Sequence, residues 1–226
     1  MAGKKETLSI VWCDNGSVDS LFMGGMINTL LNLKNLDIEL DSMHNIIGNL
    51  IYKQRQQMAD EWINTKGDWL LWVDSDVVIS PDILKKLWDT ANKVTHPVVC
   101  GVYFVTPNPN MSLMTPVPCI FTDDGEYNAP IHPLPENQVI KIDTAGLGLC
   151  LMHRSVLEKL EKPYDGIYFD VSMGKVNKSE DISFFRKLKE QGIPVHAHTG
   201  AIAPHIKRFS FDENYYKLWW NNVPNK

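Results

Sequence analysis

Two aspartates separated by one residue, Asp74 and Asp76, are the first candidates for chemistry in this sequence. They directly follow WLLWV, an apolar run that predicts a central strand buried on both faces. Open α/β sheets bind ligands at the carboxyl ends of their strands, where two nearby carboxylates can hold a divalent cation that neutralises a diphosphate. The acids could instead only end the strand and cap the next turn. Their position between a buried strand and a capped helix favours metal binding.

A second pair of acids, Glu180 and Asp181, opens a predicted helix that runs to Gln191. Backbone N–H groups at a helix amino terminus stabilise negative charge, so a carboxylate there stays ionised and can act as a general base. The same residues also form an ordinary helix start, in which Ser179 is the cap and the acids interact with the helix dipole. Both interpretations stay open on the residues alone.

The elements that would position these acids alternate along the first 105 residues. The predicted strands are 8–12, 37–43, 69–74 and 98–104, and the predicted helices are 21–33, 49–65 and 80–93. Asp19 or Ser20 would cap the first helix, and Ser80 with Pro81 would begin the third. This alternation predicts a Rossmann-like, parallel sheet with helices on both faces.

The rest of the chain is less regular. Residues 106–137 predict loops with one hairpin around 123–125, and strand patterns follow at 139–152 and 193–198, with helices at 154–160 and 179–191. The glycines Gly146 and Gly148 lack G-x-G-x-x-G spacing, which disfavours a dinucleotide loop. We expect the aromatic tail, 209–220, to dock on the core.

Composition limits the possible classes of protein. The 226 residues, 44% hydrophobic and 22% charged, predict one folded domain. The formal net charge of −5 and the absence of a dense basic run argue against nucleic-acid binding. No segment reaches the ~20 apolar residues of a transmembrane helix, so we expect a soluble, cytoplasmic protein. The 4 cysteines form no C-x-x-C pair and are expected to be reduced core residues.

Several motifs together resemble those of family 2 and related glycosyltransferases of the A-type fold. In chain order they are YKQRQQMADEWI, GDWLLWVDSDVVISPDILKKL, VVCGVYF, AGLGLCLMHRSVLEKL, SEDISFFRKLKEQGIPV and APHIK. The ordered set is more specific than any single motif. The resemblance implies a glycosyltransferase A-type α/β fold with a mostly parallel central sheet. It also implies that residues 1–105 bind the nucleotide sugar, that 106–208 bind the acceptor and carry out catalysis, and that 209–226 form a tail.

The resemblance implies roles for the two acidic pairs and for a late histidine. Asp74 would contact the nucleotide ribose or the metal, Asp76 would ligate Mn²⁺ or Mg²⁺ at the donor diphosphate, and His205 would complete the metal shell. An imidazole beside carboxylates favours Mn²⁺ somewhat over Mg²⁺. Asp181 would be the catalytic base, and Glu180 would orient hydroxyls of the acceptor or donor.

Further residues would contact the donor. Arg55 would lie near the nucleotide, where a guanidinium suits a phosphate or a uracil carbonyl. Asp14, after the first strand, could touch the base or ribose, and Lys207 or Arg208 would stabilise the diphosphate. Gly146 would let donor and acceptor approach the backbone. Two alternatives stay open, namely that Arg55 is a solvated helix residue and that Gly146 belongs to a closely packed strand.

The function implied by the resemblance is metal-dependent transfer of a sugar from a nucleotide-diphosphate sugar, with a UDP-sugar favoured, to a carbohydrate or glycoconjugate hydroxyl. Inversion with an aspartate base is expected, although retaining enzymes share these motifs. A sugar-phosphate nucleotidyltransferase is one alternative, but its first loop is usually glycine-rich and basic, whereas this loop is DNGSVDS. A catalytically inactive carbohydrate-binding module of the same fold is the other alternative.

Overall fold

A computed structural model describes residues 5–106, 116–171, 179–207 and 212–222. The elements in this part of the chain are β1 (Thr7–Asp14), α1 (Ser20–Asn32), β2 (Glu39–Ile47), α2 (Ile51–Ile63), β3 (Trp69–Val73), α3 (Pro81–Thr90), β4 (Val98–Val102), β5 (Phe104–Val105), β6 (Val117–Pro118), β7 (Ile120–Asp123), β8 (Asn128–Pro130), β9 (Val139–Ile142), β10 (Thr144–Ala145), β11 (Leu149–His153), α4 (Ser155–Glu161), α5 (Glu180–Glu190), β12 (Val195–Ile202) and α6 (Glu213–Asn222).

Seven of these strands form the central sheet, in the order β2-β1-β3-β11-β4-β12-β9. Strands β1, β2, β3, β4 and β12 run in one direction, whereas β11 and β9 run against them. The prediction of a mostly parallel sheet is confirmed. The local sequence patterns did not reveal that β11 inserts between β3 and β4. Because β11 is antiparallel, its first residue lies beside the carboxyl end of β3, where Leu149 pairs with Val73.

The two faces of the sheet carry two hydrophobic clusters. On β3, Leu70 and Trp72 pack in the cluster that includes α2, α4 and α5, and Leu71 and Val73 pack in the cluster that includes α1 and α3. No residue of β3 is more than 2% exposed. Burying one such side chain contributes about 1.5–3 kcal/mol. The strand that precedes Asp74 is therefore held firmly from both sides.

The predicted helix starts of α1 and α3 are confirmed. Asp19 accepts a hydrogen bond from the Leu21 amide at 2.8 Å, and Ser80 accepts one from the Ile83 amide at 3.3 Å. Pro81 is the first residue of α3, a position at which a backbone N–H would have no partner within the helix. These caps place the starts of the helices that follow β1 and the D-x-D segment.

The predicted strand at 139–152 is wrong as one element, because the structure divides it into β9, β10 and β11. Strand β9 is at the edge of the central sheet, and β10 pairs with β7 in a three-stranded sheet. The predicted hairpin is confirmed as β7 and β8. In its turn Asp124 accepts from the amides of Glu126 and Tyr127, and Gly125 has a φ of +100°.

The aromatic tail differs from the expectation in the part that the structure describes. Tyr216 and Trp220 of α6 are 57% and 62% exposed, and their rings stack on each other at 6.3 Å. The predicted docking is therefore wrong for these two rings. Arg208 and Phe209 lie outside the described residues.

Two further predictions concern the burial of the cysteines and the absence of a membrane-spanning helix. All four cysteines are free and buried, as expected of core residues. Among the described residues, no helix combines the length and the apolar character needed to cross a membrane.

Candidate active site

One edge of the central sheet brings the candidate residues together. It is formed by the carboxyl ends of β1, β3, β4 and β12 and by the amino end of β11. The residues at this edge are Asp14, Asp74, Asp76, Tyr103, Gly148 and His205. The sequence pattern predicted strand ends for the D-x-D pair and for Asp14, and the topology brings the other residues to the same edge.

Backbone hydrogen bonds connect the D-x-D segment to the residues after β12. Val77 and His205 form an antiparallel bridge, and the Val78 amide donates to the Pro204 carbonyl at 2.9 Å. The Ile206 amide donates to the Asp76 carbonyl at 2.7 Å. The main chain therefore brings His205 beside Asp76, with 3.3 Å between Nε2 of the ring and Oδ2 of the carboxylate.

The contacts of His205 fix the position of one of its ring protons. Its Nδ1 lies 2.8 Å from the Phe104 carbonyl, which can only accept, so Nδ1 carries a proton. In the neutral ring, Nε2 then presents a lone pair to a carboxylate oxygen. Two acceptors facing each other in this way fit a cation between them, and metal-bound histidines usually donate their other N–H to a carbonyl or carboxylate.

The pair of Asp76 and His205 thus fits a divalent cation. Within the described ranges, no three His, Cys, Asp or Glu side chains are grouped closely enough for a metal site. The pair therefore supplies two protein ligands, which suits a cation that is also bound by substrate phosphates. The structure does not bring Asp74 into this pair as a third ligand.

Asp76 also has a cationic neighbour. The Lys207 ammonium donates to Asp76 Oδ2 at 2.7 Å. Burial acts to raise the pKa of Asp76, but the hydrogen bond that His205 donates when its ring is protonated, together with that of Lys207, outweighs burial and lowers the pKa to about 2. The carboxylate is therefore ionised at neutral pH, as a metal ligand must be.

Arg55 of α2 lies between the two acidic pairs. Its Nη2 donates to Asp74 Oδ1 at 3.0 Å, and its Nη1 donates to Glu180 Oε1 at 2.5 Å. The Arg55 side chain is 3% exposed, so the alternative of a solvated helix residue is wrong. Burial acts to lower the pKa of Arg55, but the charges of Asp74, Asp181 and Glu180 outweigh it and raise that pKa. Contact between Arg55 and a nucleotide stays a prediction.

The two acids at the start of α5 have different surroundings. Glu180 is 7% exposed, and burial raises its pKa although Arg55 opposes that shift. Asp181 is partly exposed, and its Oδ1 accepts from the Ser179 hydroxyl and from the Ile182 amide. Ser179 occupies the cap position but makes no side-chain capping bond, so the expected serine cap is wrong. Asp181 is thus the more accessible acid of the two.

Tyr103 forms the floor of the site beneath the D-x-D segment. It is 4% exposed, its ring packs edge-on to His205 at 5.0 Å, and its hydroxyl accepts from the Gly148 amide at 3.2 Å. A Cβ on Gly146 would lie 2.0 Å from that hydroxyl, which favours the closely packed alternative for Gly146 over an opening for ligands. Sequence reasoning assigned Tyr103 no role, although a polar aromatic residue directly after a buried strand was an available signal.

Asp14 lies at the carboxyl end of β1, as predicted, and is 8% exposed. Its Oδ1 accepts from the Gly16 amide at 2.7 Å, and its Oδ2 accepts from Trp12 Nε1 at 3.1 Å and Asn45 Nδ2 at 2.9 Å. These bonds organise the turn after β1. The expected contact with the base or ribose stays a prediction.

A salt bridge that sequence reasoning missed anchors α5 at its other end. Arg186 binds both oxygens of Asp123 at 2.7 Å, and Asp123 is 5% exposed. Lys189 donates to the Asp123 carbonyl at 2.6 Å. The β7–β8 hairpin therefore contributes to the position of the helix that carries Asp181.

Comparison with known proteins shows the family to which the chain belongs. The model of the family described as glycosyltransferase like family 2 matches residues 48–217. The chain belongs to this family. It is thus a glycosyltransferase whose α/β architecture is that of the A-type fold. Curated proteins, by contrast, include no match to the sequence.

Two solved structures share the fold at low sequence identity. A197 from STIV is 22% identical, with a TM-score of 0.61 over 89% of this chain and 86% of that one. GalNAc-T7, crystallised with UDP, GalNAc and Mn²⁺, is 11% identical, with a TM-score of 0.53 over 92% of this chain and 45% of that one. At these identities the similarity concerns the fold alone.

Proposed function

We propose that this glycosyltransferase uses a nucleotide-diphosphate sugar, with a UDP-sugar favoured, and transfers the sugar with inversion to a hydroxyl of a carbohydrate or glycoconjugate. The observation that carries the proposal is the pair of Asp76 and His205, whose facing acceptor atoms fit a cation at the carboxyl edge of the sheet. The accessible carboxylate of Asp181 provides a candidate base near the same edge.

The donor would bind over the D-x-D segment. A divalent cation held by Asp76 and His205 would neutralise negative charge on the donor diphosphate. Lys207, bonded to Asp76, adds an ammonium that can also reach phosphate oxygens. Arg55 holds Asp74 Oδ1, and the other oxygen of Asp74 would accept a hydrogen bond from a ribose hydroxyl. The UDP and Mn²⁺ in the GalNAc-T7 crystal make these the first ligands to test.

The reaction would be a direct displacement at the anomeric carbon. As the acceptor oxygen bonds to this carbon, the bond from the carbon to the diphosphate oxygen breaks, and the diphosphate leaves with the electron pair. The hydroxyl proton passes to Asp181, which the Ser179 hydroxyl and the Ile182 amide hold through one oxygen. Attack on the face opposite the leaving group inverts the configuration.

The test of the donor site is thermal stabilisation by UDP-, GDP-, dTDP- and CDP-sugars, each with Mn²⁺ or with chelator. A donor at about 100 times its Kd stabilises a protein by about 2.7 kcal/mol, or roughly 5–10 °C for a domain of this size. We expect one donor to give such a shift only with Mn²⁺, and Asp76→Asn to abolish it.

The matched control is Asp89→Asn, which removes an exposed carboxylate that pairs with Lys85 on α3. This variant should keep the full shift. A shift that survives in Asp76→Asn would place donor binding elsewhere, and no shift with any donor would contradict the proposed donor class. Proton NMR of the product formed by the wild type then tests inversion.

A further inference from the structure

We propose, on the basis of the proposed function, that Arg55 is a positioning residue that couples the donor-side carboxylate Asp74 to the first turn of α5, and so fixes Asp181 relative to the donor. Three elements meet at this guanidinium. Helix α2 supplies Arg55, the end of β3 supplies Asp74, and the start of α5 supplies Glu180.

The contacts are buried and specific. The Arg55 side chain is 3% exposed, that of Glu180 is 10% exposed and that of Asp74 is 26% exposed. Each carboxylate receives a different terminal nitrogen of the guanidinium. A planar guanidinium can serve two carboxylates in this way, whereas a lysine ammonium is a single point charge.

The start of α5 depends on the contact between Arg55 and Glu180 because it lacks the usual side-chain cap. The hydroxyl at the cap position, that of Ser179, donates to Asp181 and makes no capping bond to a backbone amide. Glu180 is therefore the side chain in the first turn that connects α5 to the buried interior of the site. Asp181 is the next residue, so the position of Glu180 sets that of the proposed base.

A purely stabilising ion pair would account for the same distances, so the test must separate geometry from stability. Arg55→Lys keeps the charge but replaces the two separate nitrogens that contact Glu180 and Asp74 with a single one. The control is Arg154→Lys, which alters a partly buried arginine whose guanidinium donates to main-chain carbonyls of residues 62, 63, 65 and 67. We expect both variants to lower the free energy of unfolding, but only Arg55→Lys to change the coupling between Asp74 and the first turn of α5.

The kinetic readout is the division of the effect between kcat and KM. A misplacement of about 1 Å can cost roughly 100-fold in rate, so we expect kcat of Arg55→Lys to fall at least tenfold while the KM for the donor changes less than threefold. Guanidinium ion should partly restore kcat to Arg55→Ala. An Arg55→Lys variant with wild-type kcat, or one whose loss is matched by Arg154→Lys, would overturn the proposal.

A second readout does not depend on activity. Hydrogen exchange of the Ile182 and Ser183 amides, in the first turn of α5, should be at least tenfold faster in Arg55→Lys and unchanged in Arg154→Lys. If Arg55→Lys does not fold, Glu180→Gln serves the same measurement. Unchanged exchange would refute the coupling. Absence of transferase turnover in the wild type would instead refute the proposed function, and the exchange result would still decide the role of Arg55.

Discussion

Replacing Gly148 with alanine tests whether the floor of the site fixes the position of Asp74. A Cβ at this residue would lie 2.7 Å from Asp74 Oδ2 and 2.9 Å from Tyr103 Cζ, whereas ordinary van der Waals contact begins at 3.4 Å. Tyr103 has little freedom to move, because it is 4% exposed and packs on His205. The carboxylate, which is nearer the surface, must therefore give way.

The expected magnitude follows from these distances. The new methyl group is about 0.7 Å too close to Asp74 Oδ2, while Arg55 holds the other oxygen of Asp74 in place. Because a displacement of about 1 Å can cost roughly 100-fold in rate, we expect kcat to fall roughly 10- to 100-fold. Overpacking of this kind should also lower the free energy of unfolding by about 1–3 kcal/mol.

The assay compares kcat for sugar transfer and urea unfolding of the wild type, Gly148→Ala and a control, Gly24→Ala. In α1, a Cβ on Gly24 meets no atom within 4 Å. This control should keep kcat and gain about 0.5–1 kcal/mol of stability. A folded Gly148→Ala protein with wild-type kcat would refute the argument that this glycine sets the position of Asp74.

Four further predictions concern single side chains. Asp181→Asn should lower kcat roughly 100- to 10,000-fold without changing the Kd of the donor measured by calorimetry, and a retained rate would exclude Asp181 as the base. His205→Gln should weaken Mn²⁺ binding to the free protein at least ~10-fold by paramagnetic resonance; equal affinity would remove this histidine from the site. Arg186→Met, which leaves the buried carboxylate of Asp123 unpaired, should destabilise the protein by about 3 kcal/mol in urea, and no change would mean that this ion pair contributes nothing. Burial and nearby positive charges lower the pKa of His196 from 6.5, so the unfolded chain binds more protons than the folded protein. The free energy of unfolding should therefore fall as pH drops below 6.5. His196→Gln should make this dependence on pH less steep, and an unchanged dependence would contradict the lowered pKa of His196.

Local patterns in the sequence were sufficient to predict that the D-x-D segment lies between a buried strand and a capped helix. A five-residue apolar strand and a Ser-Pro helix start are signals that depend only on neighbouring residues, and both are present around Asp74 and Asp76. The partnership of Asp76 with His205 had no such local signal, because it spans β12 and depends on strand order. Only the resemblance to a family predicted that histidine.

Strand order and the burial of charge were beyond local reasoning. The pattern at 139–152 has strand character throughout, yet its three strands are divided between two sheets, because the bend at Asp143 and the turn at 147–148 redirect the chain. The burial of Arg55 was equally hidden, since an arginine on an amphipathic helix is usually solvated. Its interior position results from two carboxylates brought by β3 and α5.

The distribution of positive charge divides the carboxylates of the site into two pairs. Asp74 and Glu180 share the buried guanidinium of Arg55, whereas Asp76 and Asp181 are bonded by groups nearer the surface. Carboxylates that lie close together raise one another's pKa unless a cation compensates. Arg55 offsets one of the two negative charges of the inner pair and holds both of its carboxylates in place. In the proposed mechanism, substitution of Asp76 should therefore remove a metal ligand and substitution of Asp181 should remove the base, while substitution of Glu180 should act through geometry.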